Sequence, residues 1–344
     1  MASSFRCWLD GARRVNGAPG IVFAVWALSL ALALPLGVVL RGLLRAHLGD
    51  SLAAGQAAEG VNYDWWNEFL YQTGGIGSTF VPSIIGFAAP LKNISDLLDN
   101  ESLAATLGSI VTVWLVLWAF MAGGIFDRYA RGRTTHTAGF FAACGVFFVR
   151  FLRLGAMAAI AYWLLFAYVH GWLFEGLLGR WTRDMTVERN AFFARVSLYV
   201  LFAALLALVN IVVDYAKVRA VVEDRRSMIG ALVGGARFVF RHPAATATLY
   251  LLNTVLFLVL LLIYRAVAPG ASWSGAGIWV AFAISQAYIA ARVWLKLVFA
   301  ASQISLFQSR LAHAGYAAFA GAPTLEPPVV EALGPPPVSA PPRP

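Results

Sequence analysis

The sequence predicts an all-α, polytopic transmembrane bundle of six spans. Of its 344 residues, 60% are hydrophobic and 12% charged, about half the roughly 25% charge of a soluble domain. Lipid must therefore solvate much of the chain. Six stretches lack charge over the roughly 20 residues that a helix needs to cross hydrocarbon. Arginine and lysine fall mainly on alternate connections, as the positive-inside rule asks.

The uncharged stretches lie between Arg14 and Arg41, Glu101 and Asp127, Arg153 and Glu175, Arg195 and Asp214, His242 and Arg265, and Arg265 and Arg292. They place spans near 20–43, 104–126, 154–174, 196–216, 244–266 and 276–299. The first exceeds the roughly 7–15 residues of a signal core and follows about 20 residues of chain, so it reads as a retained helix rather than a cleaved leader. With both termini inside, 18 of the 26 Lys and Arg fall on inner segments. The net charge of +9 then reads as topology and attraction to anionic headgroups on the cytoplasmic face. A nucleic-acid partner is not expected, because the basic residues are scattered along membrane edges. The expected location is a bacterial inner membrane.

A short motif recurs. "GARRVNGAP" (Gly11 to Pro19) and "GARFVFRHP" (Gly235 to Pro243) agree at five of nine positions, and each ends at an apolar run. Before span three, "GFFAACGVFFVRFLR" aligns without gaps to "GALVGGARFVFRHPA", with Gly139 on Gly230, Phe147 on Phe238 and Arg150 on Arg241. Each stretch has an apolar helical stripe: Phe5, Trp8, Leu9, Ala12 and Val15; then Phe140, Phe141, Cys144, Phe147, Phe148 and Phe151; then Met228, Leu232, Gly235, Phe238 and Val239. Such stripes suit helices lying in the membrane interface, with Ser227 as N-cap of the third. Proline at a first helical turn permits a sharp bend from surface helix to span. Arg13, Arg14, Arg150, Arg153, Arg237 and Arg241 are then expected to contact phosphate headgroups. Three units follow, 3–128, 134–219 and 225–310, within a six-span domain over 1–319; coincidence in a Gly- and Ala-rich chain is the competing reading.

Span four is expected to run on as a solvated helix end through "DYAKVRAVVEDRRS" (Asp214 to Ser227), which lacks Gly and Pro; a docking surface for a partner is the alternative. The stretch "DYAKVRAVVEDRRSMIGALVGGARFVFRHP" resembles bacterial six-helix membrane proteins of unknown function. It is also similar to the non-catalytic membrane domain attached to some glycerophosphodiester phosphodiesterases. The resemblance covers about thirty residues and transfers no catalytic residue.

Residues 46–103 form an external connection with seven acidic residues and one lysine, Lys92. Within it, "NYDWWNEFLYQ" predicts an interfacial helix whose Tyr63, Trp65, Trp66, Phe69 and Tyr71 form an aromatic anchor or platform. "TFVPSIIGFAAPL" is too short to span and reads as interfacial or re-entrant. The tail over 320–344 holds nine of the fifteen prolines and is expected to be extended and disordered in the cytoplasm.

The polar residues within spans are few: Asn210, Asn253, Ser285, Gln286 and Arg292. They are expected to hydrogen-bond between helices, with Arg292 snorkelling or pairing with Asp214 or Asp127. Gln286 and Arg292 are the candidate substrate or ion site. No span carries a carboxylate near its middle, which counts against proton-coupled transport. No metal or cofactor is expected, since Cys7, Cys144 and five separated histidines lack ligand spacing, and no catalytic motif is present. A non-enzymatic scaffold or accessory subunit that binds lipid or a membrane-protein partner is the first functional expectation. A transporter-like permease for a small or lipidic substrate is the second. A water-filled midplane cavity lined by Gln286 and Arg292 favours transport, and a dry bundle favours the scaffold.

Overall fold

Pro19 and Pro243 set two of the bends. Each occupies the first turn of a long helix, and the residues before them, Ala18 and His242, share nearly the same backbone: φ −143°, ψ 57° and φ −130°, ψ 49°. A proline has no N–H to donate and clashes with the turn before it, so the preceding helix must stop. The position aligned with Pro243 in the middle stretch is Leu152. There the helix runs on unbroken, which corrects the expectation of a separate surface helix before span three.

The computed structural model describes residues 4–59, 62–80, 94–101, 105–132, 136–268 and 275–311, all helical or loop, with no strand among them. The elements are α1 (Ser4–Asn16), α2 (Pro19–Leu48), α3 (Ala53–Glu59), α4 (Tyr63–Gln72), α5 (Ala105–Arg131), α6 (Thr137–Leu164), α7 (Glu188–Val222), α8 (Met228–Arg241), α9 (Pro243–Val267) and α10 (Gly277–Leu311). Helix α6 continues through two π-helical turns, Leu165–His170 and Trp172–Leu177, to Thr182. Among the described residues, six helices are long and apolar enough to cross a membrane. The proline-rich tail and most of the apolar stretch 79–91 lie outside the described residues.

The packed core sits at one end of the bundle. There α1 lies against the last turns of α10, the first half of α6 against the end of α5, and α8 against the end of α7. Helix α1 runs antiparallel to α10: Cys7 Sγ is 4.0 Å from Ser309 Oγ, and Trp294 Nε1 donates to Asn16 Oδ1 at 2.9 Å. All three pairs approach closely through small residues. A Cβ on Gly11 would lie 2.7 Å from the backbone nitrogen of Ser302, one on Gly235 2.8 Å from that of Ala216, and one on Gly124 2.7 Å from Cys144 Sγ. Only hydrogen at Gly11 and Gly235 lets those backbones meet, and at Gly124 it makes room for the Cys144 thiol. Gly234 likewise leaves room for the Arg219 guanidinium, which donates to Glu223 at 2.9 Å.

In α8 the buried face keeps four of the five residues of the apolar stripe read in the sequence, whereas in α1 it differs in phase. In α1 the residues facing protein are Cys7, Gly11 and Val15, whereas Phe5 and Leu9 are exposed. In α8 they are Met228, Ala231, Gly234, Gly235, Phe238 and Val239, with Ile229, Val233 and Phe240 outward. Each amphipathic stretch thus carries two apolar faces, one against protein and one left uncovered. The end of α7 is likewise not the solvated helix tail expected: Tyr215, Ala216, Val218 and Ala220 are fully buried. The reason is the clasp by α8, whose Phe238 ring packs 4.9 Å from that of Tyr215.

At the opposite end the helices splay and expose apolar surface such as Val38, Val39 and Leu262. A smaller cluster there buries Leu173, Leu178, Leu198 and Phe202. The turn over 94–101 docks on it. A His170 ring nitrogen hydrogen-bonds the Leu98 carbonyl at 3.0 Å, and the Tyr199 hydroxyl donates to Asp99. Nearby, α4 is tied to the end of α2, because Trp65 Nε1 donates to His47 Nδ1 at 3.1 Å and His47 Nε2 then donates to Gln72 Oε1 at 3.0 Å.

Filling the close approaches should destabilise the fold. Gly11→Leu and Gly235→Leu are each expected to lose about 1–3 kcal/mol through overpacking, read as a lower melting temperature in detergent. Gly145→Leu, where nothing lies within 4 Å of the added Cβ, should melt like the wild type.

The docked turn should respond to acid. The Tyr199 hydroxyl, then Ser95, hold the Asp99 carboxyl below its ordinary value of 3.8. A depressed folded-state value means the tie is complete above that ordinary value and is lost as pH falls through the lowered one. Hydrogen exchange over 94–101 should therefore accelerate at strongly acidic pH beyond its intrinsic trend. Tyr199→Phe should flatten that response.

Candidate functional site

The splaying leaves a groove whose floor is α10 and whose walls are α2 and α9. Both walls pack on α10 and make little contact with each other. The space is about 620 Å³, within the roughly 300–1,000 Å³ typical of small-molecule sites. Leu30, Ala33, Phe257 and Ile289 make most of it apolar, and Ser29, Asn253, Thr254, Gln286, Arg292 and Lys296 supply the polar groups.

The two cations stand four residues apart on α10, hence on one face and about 6 Å apart along the axis. The Arg292 guanidinium lies 5.7 Å from the Phe257 ring centre and 5.6 Å from that of Tyr288. The Lys296 ammonium is 3.6 Å from the Trp118 ring centre and 5.7 Å from that of Trp114. Such ring faces attract a cation by about 0.5–2 kcal/mol, which holds the charges in place without neutralising them. Among the described residues no carboxylate pairs with either cation, which corrects the expected pairing of Arg292 with Asp214 or Asp127. Those carboxylates have nearer partners: Asp127 takes Arg131 at 2.7 Å, and Asp214 takes Lys217 at 2.9 Å.

Asp214 anchors a polar node behind the groove. It accepts from the Tyr250 hydroxyl at 2.5 Å and from Gln303 at 3.4 Å, and Gln303 also donates to the Tyr250 oxygen at 3.1 Å. Tyr250 lines the groove, so the node fixes one wall. Asn253 is buried in the same wall. Its amide nitrogen donates to the Leu249 carbonyl at 2.8 Å, while its Oδ1 has no partner. A buried acceptor left unpaired costs about 1–3 kcal/mol. Across the groove, Trp26 Nε1 donates to Gln286 Oε1 at 3.1 Å.

Of the five intramembrane polar residues singled out from sequence, the groove unites Asn253, Gln286 and Arg292. Asn210 instead reaches Asp214 at 3.4 Å from an exposed position on α7, and Ser285 faces the Tyr264 hydroxyl at 3.4 Å; neither lines it. Lys296 and Tyr250 were missed. Lys296 reads as one more basic residue near a span end, yet its spacing of four from Arg292 is the signal that both share a face.

The aromatic platform is also divided. Trp65 and Phe69 are buried against His47 and Phe80. Trp66 is half-buried and donates to the Phe80 carbonyl at 3.0 Å. Only Tyr63 and Tyr71 are well exposed. Two of the six headgroup arginines serve the protein instead. Arg14 donates to the Tyr129 carbonyl at 2.7 Å and to Gln308 at 2.9 Å, and Arg150 pairs with Asp224 at 2.6 Å. Their neighbours on the packed end present acceptors that lipid would otherwise supply. Arg13, Arg153, Arg237 and Arg241 remain exposed.

Asp214→Leu should leave Lys217 half-buried without its partner and free the Tyr250 hydroxyl. A loss of about 3–5 kcal/mol is expected for removing one member of a well-buried pair, less here because Lys217 is only partly covered. Thermal unfolding in detergent checks it, and Tyr250→Phe should cost less than Asp214→Leu.

No family model, curated protein or solved structure matches this chain. The groove's own chemistry therefore carries the functional reading.

Proposed function

We propose that this chain is a non-enzymatic, lipid-binding protein of a bacterial inner membrane, acting as a scaffold or accessory subunit for a membrane partner. The observation that carries the reading is the groove between α2 and α9: a mostly apolar space at the depth of the spans, with all its polar groups but Ser29 on α9 and α10. That division suits a molecule with a hydrocarbon part and a polar part. The reading takes both termini as cytoplasmic; the arginine-rich packed end supports it, with the exposed Arg13, Arg153, Arg237 and Arg241 available to anionic headgroups.

The same proposal takes the chain as three repeats of amphipathic helix, outward span and inward span. Gly11, Cys144 and Gly235 occupy aligned positions, and each sits where its helix approaches an inward span most closely. The matching bends at Ala18 and His242 support it. In this arrangement each amphipathic segment clasps the inward span of another unit, with α1 on α10 closing the set.

A permease is the second reading. It is favoured by Gln286 and Arg292 lining one cavity, where a dry bundle was the scaffold's signature. The lateral, largely apolar groove and the absence of a mid-span carboxylate favour binding over coupled transport.

Native mass spectrometry of protein purified in mild detergent tests the proposal. About one lipid per chain is expected to survive, and Ala33→Trp, which fills the groove, should abolish it. A lipid-free wild type, or lipid retained equally by Ala33→Trp, would refute groove binding. Accelerated movement of a labelled lipid between leaflets of proteoliposomes would favour the permease instead.

A further inference from the structure

Within that groove the charge is lopsided. Arg292 and Lys296 project from one face of α10, and Lys217 and Asp214 pair with each other close by. Counting all four leaves two positive charges without an anion among the described residues. Ring faces position both free cations, and cations at membrane depth are costly unless something answers them. A phosphate presents several oxygens to two such donors and forms charge-assisted hydrogen bonds with each.

The α9 wall adds a second requirement. Asn253 is buried with its Oδ1 unpartnered, and it lines the same space. An acceptor there asks for a donor on the ligand, and beside two uncompensated cations a neutral hydroxyl fits where an ammonium would add a third positive charge. The apolar lining of Leu30, Ala33, Phe257 and Ile289 asks for a hydrocarbon chain beside them.

We infer that the groove is a selective site for an anionic phospholipid whose headgroup bears a free hydroxyl. Arg292 and Lys296 hold its phosphate, and Asn253 accepts from the hydroxyl. This rests on the reading of the groove as a lipid site and goes further in assigning the headgroup chemistry. The shared ligand chemistry is a phosphate anion, and a lipid and a free phosphate are its two possible sources.

Competition on the full chain in detergent separates them. Phosphatidylglycerol, phosphatidylcholine and inorganic phosphate are offered to delipidated protein, and bound species are counted by native mass spectrometry. Phosphatidylglycerol should be retained about tenfold over phosphatidylcholine, the preference of roughly one strong polar interaction. Inorganic phosphate in excess should not displace it. The double variant Arg292→Gln, Lys296→Gln should erase the preference while still binding lipid. Asn253→Leu should lower retention of phosphatidylglycerol but not of phosphatidic acid, which lacks the hydroxyl-bearing group.

Equal retention of phosphatidylglycerol and phosphatidylcholine by the wild type overturns the headgroup assignment and leaves groove binding standing. So does an unchanged preference in the double variant. Displacement by inorganic phosphate alone overturns the lipid source. If no lipid binds at all, both this inference and the groove reading fail. The wild-type competition needs no variant, so it decides the matter even if the double substitution does not fold.

Discussion

The backbone-to-backbone contact between each amphipathic stretch and the end of a long apolar helix is the constraint from which the architecture follows. At Gly11 against Ser302, and at Gly235 against Ala216, no side chain larger than hydrogen fits. Van der Waals packing between small residues is what joins helices where hydrocarbon surrounds them, since lipid tails are as apolar as leucine. Where the helices leave lipid, water adds the drive to bury apolar surface. Both forces act at the packed end, and there the fully buried residues concentrate: Ile125, Tyr129, Tyr215, Val218, Leu297 and Ile304.

Toward the opposite end the buried cluster is smaller, and the helices separate. The groove is a consequence. Helix α10 is held along its last turns by α1, and its preceding turns stand between α2 and α9, which pack on it from two sides. Arg292 and Lys296 fall where this helix emerges from the clasp. Their depth is thus set by α1, which bonds Trp294 through Asn16. The Asp214 node fixes the far wall through Tyr250. The polar groups of the groove are therefore held by the best-packed part of the molecule.

Parts of this site were legible in the residues alone. Asn253, Gln286 and Arg292 stand out because polar groups are costly inside a span, and the structure brings those three together. Asn210 and Ser285 carry the same sequence signal but point elsewhere. Rarity marks a residue without saying which neighbour it meets. Lys296 was hidden for the reverse reason: near a helix end a lysine ordinarily reports topology. Only the length of α10, which continues to Leu311, shows that Lys296 lies well inside the helix.

By itself the sequence determined the all-helical class, the six long apolar helices and the bends at Pro19 and Pro243, because run length and proline stereochemistry are local properties. It also marked the amphipathic stretches. Which apolar face of each is buried was decided by the tertiary structure: Cys7, Gly11 and Val15 face protein, and Phe5 and Leu9 do not. So was the diversion of Arg14 and Arg150 to protein partners. The physical reason is that lipid and a protein core are equally apolar. A hydrophobic period reports that a face avoids water, and an arginine reports that it needs an acceptor, but only the packed chain says whether protein or lipid provides it.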